Sequence, residues 1–126
     1  MAYIELNVLN NEPRQLALGI DLGTTNSLGA LWKDGHPIVL HADRGQGYVP
    51  SVLYFAEDGS IVVGREARER ALLDPGHALF SIKRFMGRGL AEVQDDLSNV
   101  PCPVTENENG VIQFEMRGKR YTPQQL

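Results

Sequence analysis

The sequence predicts an α/β domain of the α+β type, in which a mixed sheet is combined with short helices. Three observations predict this class. Residues 16–40 form short apolar runs around two turns, which is typical of a strand meander. Residues 65–73 carry alanines and opposite charges at helical spacing. Residues 104–121 contain further strand-like runs around the turn sequences Asn109-Gly110 and Arg117-Gly118.

Length and composition restrict the function classes. The 126 residues are enough for one modest domain, and 42% apolar with 22% charged residues predicts a globular fold. The net charge of −4 argues against nucleic acid as a partner, because general nucleic-acid binders carry a basic excess. Cys102 is the only cysteine, which excludes an intrachain disulfide and fits a reducing cytoplasm. No apolar run approaches the ~18 residues of a membrane span, and the first residues do not resemble a secretory signal, so no membrane partner is expected.

The first fifteen residues are interpreted separately from the domain, which is expected to cover residues 16–126. Residues 1–15 alternate weakly between Ile4 and Val8 and then break at Pro13. Two interpretations stay open: a poorly ordered tail, or an edge strand that pairs with a neighbouring chain.

The most informative stretch is LALGIDLGTTNS at residues 16–27. An apolar run stops at Asp21, a tight turn follows at residues 23–25, and a second apolar run starts from Asn26. Because side chains alternate across a strand, this pattern predicts a strand, a turn and a second strand.

The turn has the chemistry of a phosphate site. Gly23 can adopt positive φ and leaves room for a ligand beside the backbone. Successive N–H groups in such a turn can bind an anion, and the hydroxyls of Thr24 and Thr25 add donors. The carboxylate of Asp21 suits a hydrated Mg²⁺. The same residues also fit an ordinary hairpin in which Asp and Thr serve as turn residues.

The remaining chain predicts further short elements. The later strands are expected at residues 37–40, 52–55, 61–63, 104–105, 111–116 and 119–121. Helices are expected at residues 65–73 and 90–97. The glycine-rich loop at residues 43–47 does not have the spacing of a dinucleotide site.

The segment at residues 82–87 contains a lysine that could be either a surface residue or a ligand-binding residue. Ile82, Phe85 and Met86 have helical spacing, and Gly87 follows as a plausible C-cap. Lys83 projects from this short element. This window alone favours a solvated surface lysine.

Other candidate ligands are weak. His36 and His41 flank one predicted strand and are expected at the surface, because neither a nearby cysteine nor a third histidine supports a zinc site. Cys102 lies between two prolines and is expected to be packed and unreactive, since no histidine nearby would activate it.

The last residues form a helix-start signal. Thr122 is an N-cap, Pro123 occupies the first helical position, and Gln125 completes a capping box. A helix would therefore begin where the sequence stops at Leu126. Two interpretations stay open: the chain is the front part of a longer protein, or the terminus is frayed and the pattern incidental.

Four separated segments occur in a characteristic order: GIDLGTTNS at residues 19–27, VPS at 49–51, VGREA at 63–67 and IKRFMGR at 82–88. Together, from about Leu16 onward, they resemble the start of the ATPase domain of an Hsp70 (DnaK-type) chaperone. The first segment alone would also fit sugar kinases and actin-like filament proteins of the same superfamily. The IKRFMGR segment separates the Hsp70 interpretation from these.

The resemblance implies a fold, cofactors and site residues. The fold would be an actin-like, ribonuclease H-like ATPase lobe, here the first strands of subdomain IA and most of subdomain IB. The cofactors would be ATP or ADP with Mg²⁺. By position in the motifs, the implied residues are Gly23, Thr24, Thr25 and Asn26 at the phosphates, Asp21 at Mg²⁺ through water, and Lys83 as the catalytic residue. The family's second phosphate loop and its peptide-binding domain have no counterpart in these residues.

The implied function is that of an N-terminal part of a chaperone ATPase domain. The parent protein would hydrolyse ATP to control the binding of unfolded client peptides in protein folding and stress response, with a J-domain co-chaperone and a nucleotide-exchange factor as partners. The alternative is a fragment of an actin-superfamily sugar or metabolite kinase. The 126 residues alone are expected to be inactive, and their exposed sheet surface favours self-association.

Overall fold

The computed structural model describes residues 17–40 and 47–126. The predicted tail at residues 1–15, His41 and most of the glycine-rich loop lie outside the described residues. The strands are β1 Ala17–Leu22, β2 Asn26–Lys33, β3 His36–Val39, β4 Val49–Pro50, β5 Val52–Phe55, β6 Ile61–Val63, β7 Ala78–Phe80, β8 Val104–Glu106, β9 Ile112–Met116 and β10 Lys119–Tyr121. The α-helices are α1 Arg65–Ala71 and α2 Gln94–Leu97. Short 3₁₀ helices occupy Pro75–His77, Ile82–Phe85, Leu90–Val93 and Pro123–Gln125.

The first sheet is built around β2. This strand pairs with β1 along its length, with β3 at its far end and with β4 at its start. The turn between β2 and β3 has positive φ at both Asp34 (52°) and Gly35 (83°), which is why an Asp-Gly pair suits it. The predicted meander is therefore confirmed from Ala17 to Val39.

Two further sheets enclose the core. β5 lies between β6 and β7, and β9 lies between β8 and β10. The buried core residues shared by these sheets and the helices between them are Leu53, Phe55, Leu79, Ile82, Phe85, Val93, Ile112, Phe114 and Met116. The rings of Phe85 and Phe114 meet edge to face with 5.2 Å between centroids, which anchors the 3₁₀ helix Ile82–Phe85 on β9.

The predicted helix at residues 65–73 is confirmed as α1, which ends at Ala71. Ala67 and Ala71 share its buried face. Of the two i,i+4 pairs that the sequence predicts, Arg65–Glu69 and Glu66–Arg70, the second is confirmed, with Arg70 Nη2 2.6 Å from Glu66 Oε1. The charged residues after Arg65 are exposed, as expected of a solvated face.

Two helical predictions were right only in part. Residues 82–85 form one turn of 3₁₀ helix, and the preceding residues form strand β7, which the sequence did not predict. A short apolar run fits a strand or a helix equally well, and here pairing of Leu79 with Leu53 of β5 favours the strand. Residues 90–97 divide into a 3₁₀ turn followed by α2.

The predicted α+β class is confirmed as mixed helical and strand content with antiparallel sheets. Every strand pairing among the described residues is antiparallel, so the expected mixed sheet is not seen there. Among residues 17–40 and 47–126, none of the helices could cross a membrane.

Candidate functional site

The predicted turn between β1 and β2 is present at residues 23–25, here called the threonine turn. Gly23 is required there for a steric reason, because a Cβ atom on it would lie 2.0 Å from the carbonyl oxygen of Asn26. The expectation of positive φ at Gly23 is wrong, since its φ lies outside the left-handed region. The close approach of the Asn26 carbonyl, and not an unusual dihedral angle, selects glycine at this position.

The threonine side chains are available to a ligand. Thr24 is half-buried and Thr25 is exposed. Within residues 17–40 and 47–126, neither hydroxyl makes a hydrogen bond to another residue. Both therefore keep their donor and acceptor capacity for a bound anion or for water.

The underside of the threonine turn is held by Ser51, which follows β4. The Ser51 hydroxyl donates to the carbonyl oxygen of Gly23 over 2.9 Å and lies 3.0 Å from the hydroxyl of Ser27. The Ser51 backbone N–H donates to the carbonyl oxygen of Thr25 over 2.8 Å. Ser51 thus contacts the backbone at both ends of the turn.

The 3₁₀ helix Ile82–Phe85, here called the lysine helix, presents Lys83. Ile82 and Phe85 are buried in the core and orient this single turn, while Lys83 is exposed between them. Lys83 makes no ion pair with any acidic side chain in the part of the chain that the structure describes. Its ammonium group can therefore attract an anionic ligand.

Ion pairs connect the lysine helix and the residues after it to α2. Asp96 Oδ1 lies 3.1 Å from Arg84 Nη1, and Asp96 Oδ2 lies 3.2 Å from Arg88 Nη1. Arg88 also donates to the carbonyl oxygens of Arg84 and Glu92. Arg84 and Arg88 are thus engaged with protein groups, whereas Lys83 is available to a ligand.

Gly23 and Lys83 line one cavity of about 380 Å³. Its other lining residues are mostly apolar or hydroxyl-bearing: Leu22, Ser27, Val49, Pro50, Ser51, Val52, Leu53, Val63, Ile82, Met86, Gln124 and Leu126. This volume is within the ~300–1,000 Å³ typical of ligand pockets.

The other predicted site residues do not line this cavity. Thr24, Thr25 and Asn26 continue the chain from Gly23 but do not line the cavity themselves. Asp21 is exposed near the end of β1, opposite Leu28 of β2. The structure thus brings Gly23 of the threonine turn and Lys83 to one cavity, and its lining does not include Asp21. The binding roles of all six residues stay predictions.

The donor set fits a phosphate ligand with hydrated Mg²⁺. Among the described residues, no group of three or more histidine, cysteine or acidic side chains could enclose a metal ion. Mg²⁺ does not need such a cage, because it keeps several waters and accepts one or two carboxylates together with phosphate oxygens. Asp21 can supply a carboxylate, and the threonine turn and Lys83 can supply the groups that bind phosphate.

Ser51 and Ser27 are parts of the site that the sequence analysis did not single out. In the sequence, Ser51 is the last residue of the VPS segment, and Ser27 is the last residue of GIDLGTTNS. The available signal was a hydroxyl directly after a proline. Its partner could not be identified without the pairing of Ser27 with Val49 across β2 and β4.

Cys102 is not part of this cavity. It is half-buried against the core, and burial raises the pKa of its thiol. The predicted packing of Cys102 is therefore confirmed, and the raised pKa, which disfavours the reactive thiolate, supports the prediction that it is unreactive.

Comparisons with known proteins agree with the motif order. The sequence model of the family described as Hsp70 protein matches residues 17–126. The proteins named Chaperone protein DnaK of two strains of Thermus thermophilus are both 44% identical over 110 residues, which is 87% of this chain. The Chaperone protein HscA homolog of Photobacterium profundum is 42% identical over 112 residues, or 89% of this chain.

These matches cover 18% of the length of each relative, so this chain spans a small part of the proteins that it resembles. They do not favour the alternative of a sugar or metabolite kinase. By the family match over residues 17–126, this chain belongs to the Hsp70 family.

Proposed function

We propose that this chain supplies one wall of the nucleotide site in an Hsp70-type ATPase domain with an actin-like, ribonuclease H-like lobe. The observation that carries the proposal is that Gly23 and Lys83, which are far apart in the sequence, line the same cavity. Family membership supports the same assignment, because the residues around both positions belong to the motifs that carry the resemblance.

The threonine turn would bind the phosphates of ATP or ADP. The hydroxyls of Thr24 and Thr25 have no hydrogen-bond partner among the described residues, so they can donate to phosphate oxygens at little cost. Backbone N–H groups of the turn, including that of Asn26, would add further donors. Because Ser51 holds the backbone of the turn before a ligand arrives, these N–H groups would need little reorganisation during the reaction.

Lys83 would be the catalytic residue. An ammonium group near the terminal phosphoryl group would stabilise the negative charge on its oxygens and help to orient the attacking water. Asp21 would hold Mg²⁺ through a water molecule. When bound, Mg²⁺ supplies charge neutralisation at the phosphate oxygens.

For the parent protein, we propose an ATP-driven chaperone in the cytoplasm. Its relatives are named chaperone proteins, which supports this assignment. ATP turnover would control the affinity for unfolded client peptides, and a J-domain co-chaperone and a nucleotide-exchange factor would act on the cycle.

Replacement of Lys83 tests the proposed function. In the complete protein, Lys83→Ala is expected to slow single-turnover ATP hydrolysis by about 100-fold or more, because a charge-stabilising group is lost. Nucleotide affinity is expected to change little, since the threonine turn is intact. Rapid mixing with radiolabelled ATP would measure hydrolysis, and titration calorimetry would measure binding.

The matched control is Lys119→Ala, which removes an exposed lysine on β10 away from the cavity. This variant is expected to hydrolyse ATP at the wild-type rate. A Lys83→Ala protein that hydrolyses ATP as fast as the control would remove Lys83 from the mechanism.

A further inference from the structure

We infer that Ser51 is a positioning residue that sets the threonine turn relative to Lys83. This inference rests on the proposed function, since it concerns the geometry of the same site. Ser51 carries no charge and does not belong to the turn. Ser51 contacts both the turn and the segment of Lys83, and it directly follows a proline, which has no N–H.

The hydrogen bonds of Ser51 at the turn have a defined direction. A serine hydroxyl carries one proton, and the proton of Ser51 is donated to the carbonyl oxygen of Gly23. The 3.0 Å contact between the two serine hydroxyls is therefore made by the proton of Ser27. The result is a directed chain from Ser27 through Ser51 to Gly23. Each hydroxyl is engaged, so the orientation of the Gly23 peptide is defined.

Ser51 also contacts the segment that carries Lys83. The carbonyl oxygen of Ser51 accepts a hydrogen bond of 3.3 Å from the N–H of Ser81. Ser81 has φ of 55°, in the left-handed region, and its carbonyl oxygen accepts the 3.0 Å bond from Arg84 N–H that begins the lysine helix. Ser51 therefore contacts the threonine turn on one side and the start of the lysine helix on the other.

Pro50 limits which backbone groups of this segment can donate a hydrogen bond. Proline has no N–H, so the buried Pro50 cannot donate to the neighbouring backbone. Ser51 is the next residue that can donate, and its N–H bonds to Thr25. Since its backbone and its side chain both bond to the turn, the turn and the lysine helix are positioned by one short segment. A shift of about 1 Å between reacting groups can cost about 100-fold in rate.

Removal of the Ser51 hydroxyl is the central test. In the complete protein, Ser51→Ala is expected to lower single-turnover ATP hydrolysis by about 10- to 100-fold, because the Gly23 carbonyl and the Ser27 hydroxyl lose their partner. Nucleotide affinity is expected to stay within a few fold of wild type, since the groups predicted to bind phosphate remain. Ser51→Thr, which keeps a hydroxyl, is expected to recover most of the rate.

The matched control is Ser98→Ala. The hydroxyl of Ser98 also donates to a backbone carbonyl oxygen, that of Asp95, over 3.0 Å, but it lies on the exposed end of α2. This variant is expected to hydrolyse ATP at the wild-type rate. Equal rates for Ser51→Ala and Ser98→Ala would overturn the inference.

A double variant separates positioning from a general structural role. If Ser51 acts through the geometry between the turn and Lys83, then Ser51→Ala adds little further loss of hydrolysis in a Lys83→Ala background. A full additional loss in that background would contradict the inference. Should Ser51→Ala not fold, Ser51→Thr and Ser51→Val provide an isosteric pair that differs in the hydroxyl. Equal rates for that pair would also overturn the inference.

The result for Lys83 alone keeps the two proposals distinguishable. If Lys83→Ala hydrolyses ATP normally, the proposed function fails regardless of Ser51. If Lys83→Ala is inactive while Ser51→Ala resembles wild type, only the positioning role fails.

Discussion

Single residues set the shape of the threonine turn, and Gly23 is the clearest case. A Cβ atom there would meet the Asn26 carbonyl oxygen at 2.0 Å, a distance that no real Cβ contact reaches. Because the obstacle is backbone, relief requires movement of the turn itself. Ser81 is a different case, since its left-handed φ of 55° disfavours β-branched side chains regardless of the space around it.

Gly23→Ala is therefore expected to lower the free energy of unfolding by about 1–3 kcal/mol and to displace the turn. Gly19→Ala is the matched control on β1, because a Cβ there would lie 3.8 Å from the Ala30 carbonyl oxygen, an ordinary contact. Denaturant unfolding of the two variants would measure the difference. Equal stability of both would show that the turn adapts to a side chain.

At the scale of elements, Asp74 follows α1 and its carboxylate contacts residues from three other parts of the chain. Its carboxylate accepts a 2.9 Å hydrogen bond from Tyr54 of β5 and lies 2.8 Å from the Nδ1 atom of His77. Arg117, in the turn between β9 and β10, lies 3.7 Å away and also donates to the Phe55 carbonyl oxygen. The hydrogen bonds from His77 and then Tyr54 hold the pKa of Asp74 below its ordinary value.

This cluster predicts a contribution to acid stability. Because the folded-state pKa of Asp74 is lowered, its contribution is present above the unfolded-state pKa of about 3.9 and is lost as the pH falls through the lower folded-state pKa. Asp74→Asn is expected to flatten the decline of unfolding free energy below about pH 4. Asp95→Asn, on the exposed face of α2, is expected to keep the wild-type decline. Denaturant midpoints measured between neutral and acid pH would compare them, and parallel curves for the two variants would exclude a role for Asp74.

At the scale of the whole molecule, the first sheet has an uncovered apolar face. In the antiparallel register, opposed residues share a face, and this places Leu18, Ile20, Leu22, Leu31 and Ile38 on one side. Ile20 is 70% exposed, and Leu22 and Ile38 are also exposed. The other two sheets instead contribute buried residues such as Leu53 and Phe114 to the core, although Ile61, Val63 and Phe80 are exposed.

The exposed face predicts self-association of the 126-residue chain, because clustered apolar side chains in water favour contact with another such surface. Sedimentation velocity over a concentration series would detect it, and Ile20→Lys is expected to shift the distribution toward monomer. Leu72→Lys is the control, since Leu72 is 82% exposed but lies at the end of α1, away from this face. A monomeric wild-type chain at high concentration would contradict the prediction.

The exposure of the predicted site residues indicates that this chain alone binds nucleotide weakly. The predicted site residues form one wall, and Asp21, Thr25 and Lys83 are all exposed. Ligand pockets usually bury most of the ligand surface, which one wall does not do. Titration calorimetry of Mg-ATP into the 126-residue chain is expected to show weak binding or none. A tight complex would show that this wall is sufficient.

The sequence by itself determined the strand–turn–strand at β1 and β2, helix α1 and the order of motifs that identifies the family. These features depend on alternation, turn chemistry and pairs within a few residues, which a linear pattern records. Only the tertiary structure decided that residues 78–80 form a strand, that Lys83 faces the cavity of Gly23, and that Ser51 connects the two. The physical reason is that each depends on hydrogen bonds and packing between segments distant in the chain, which local patterns do not specify.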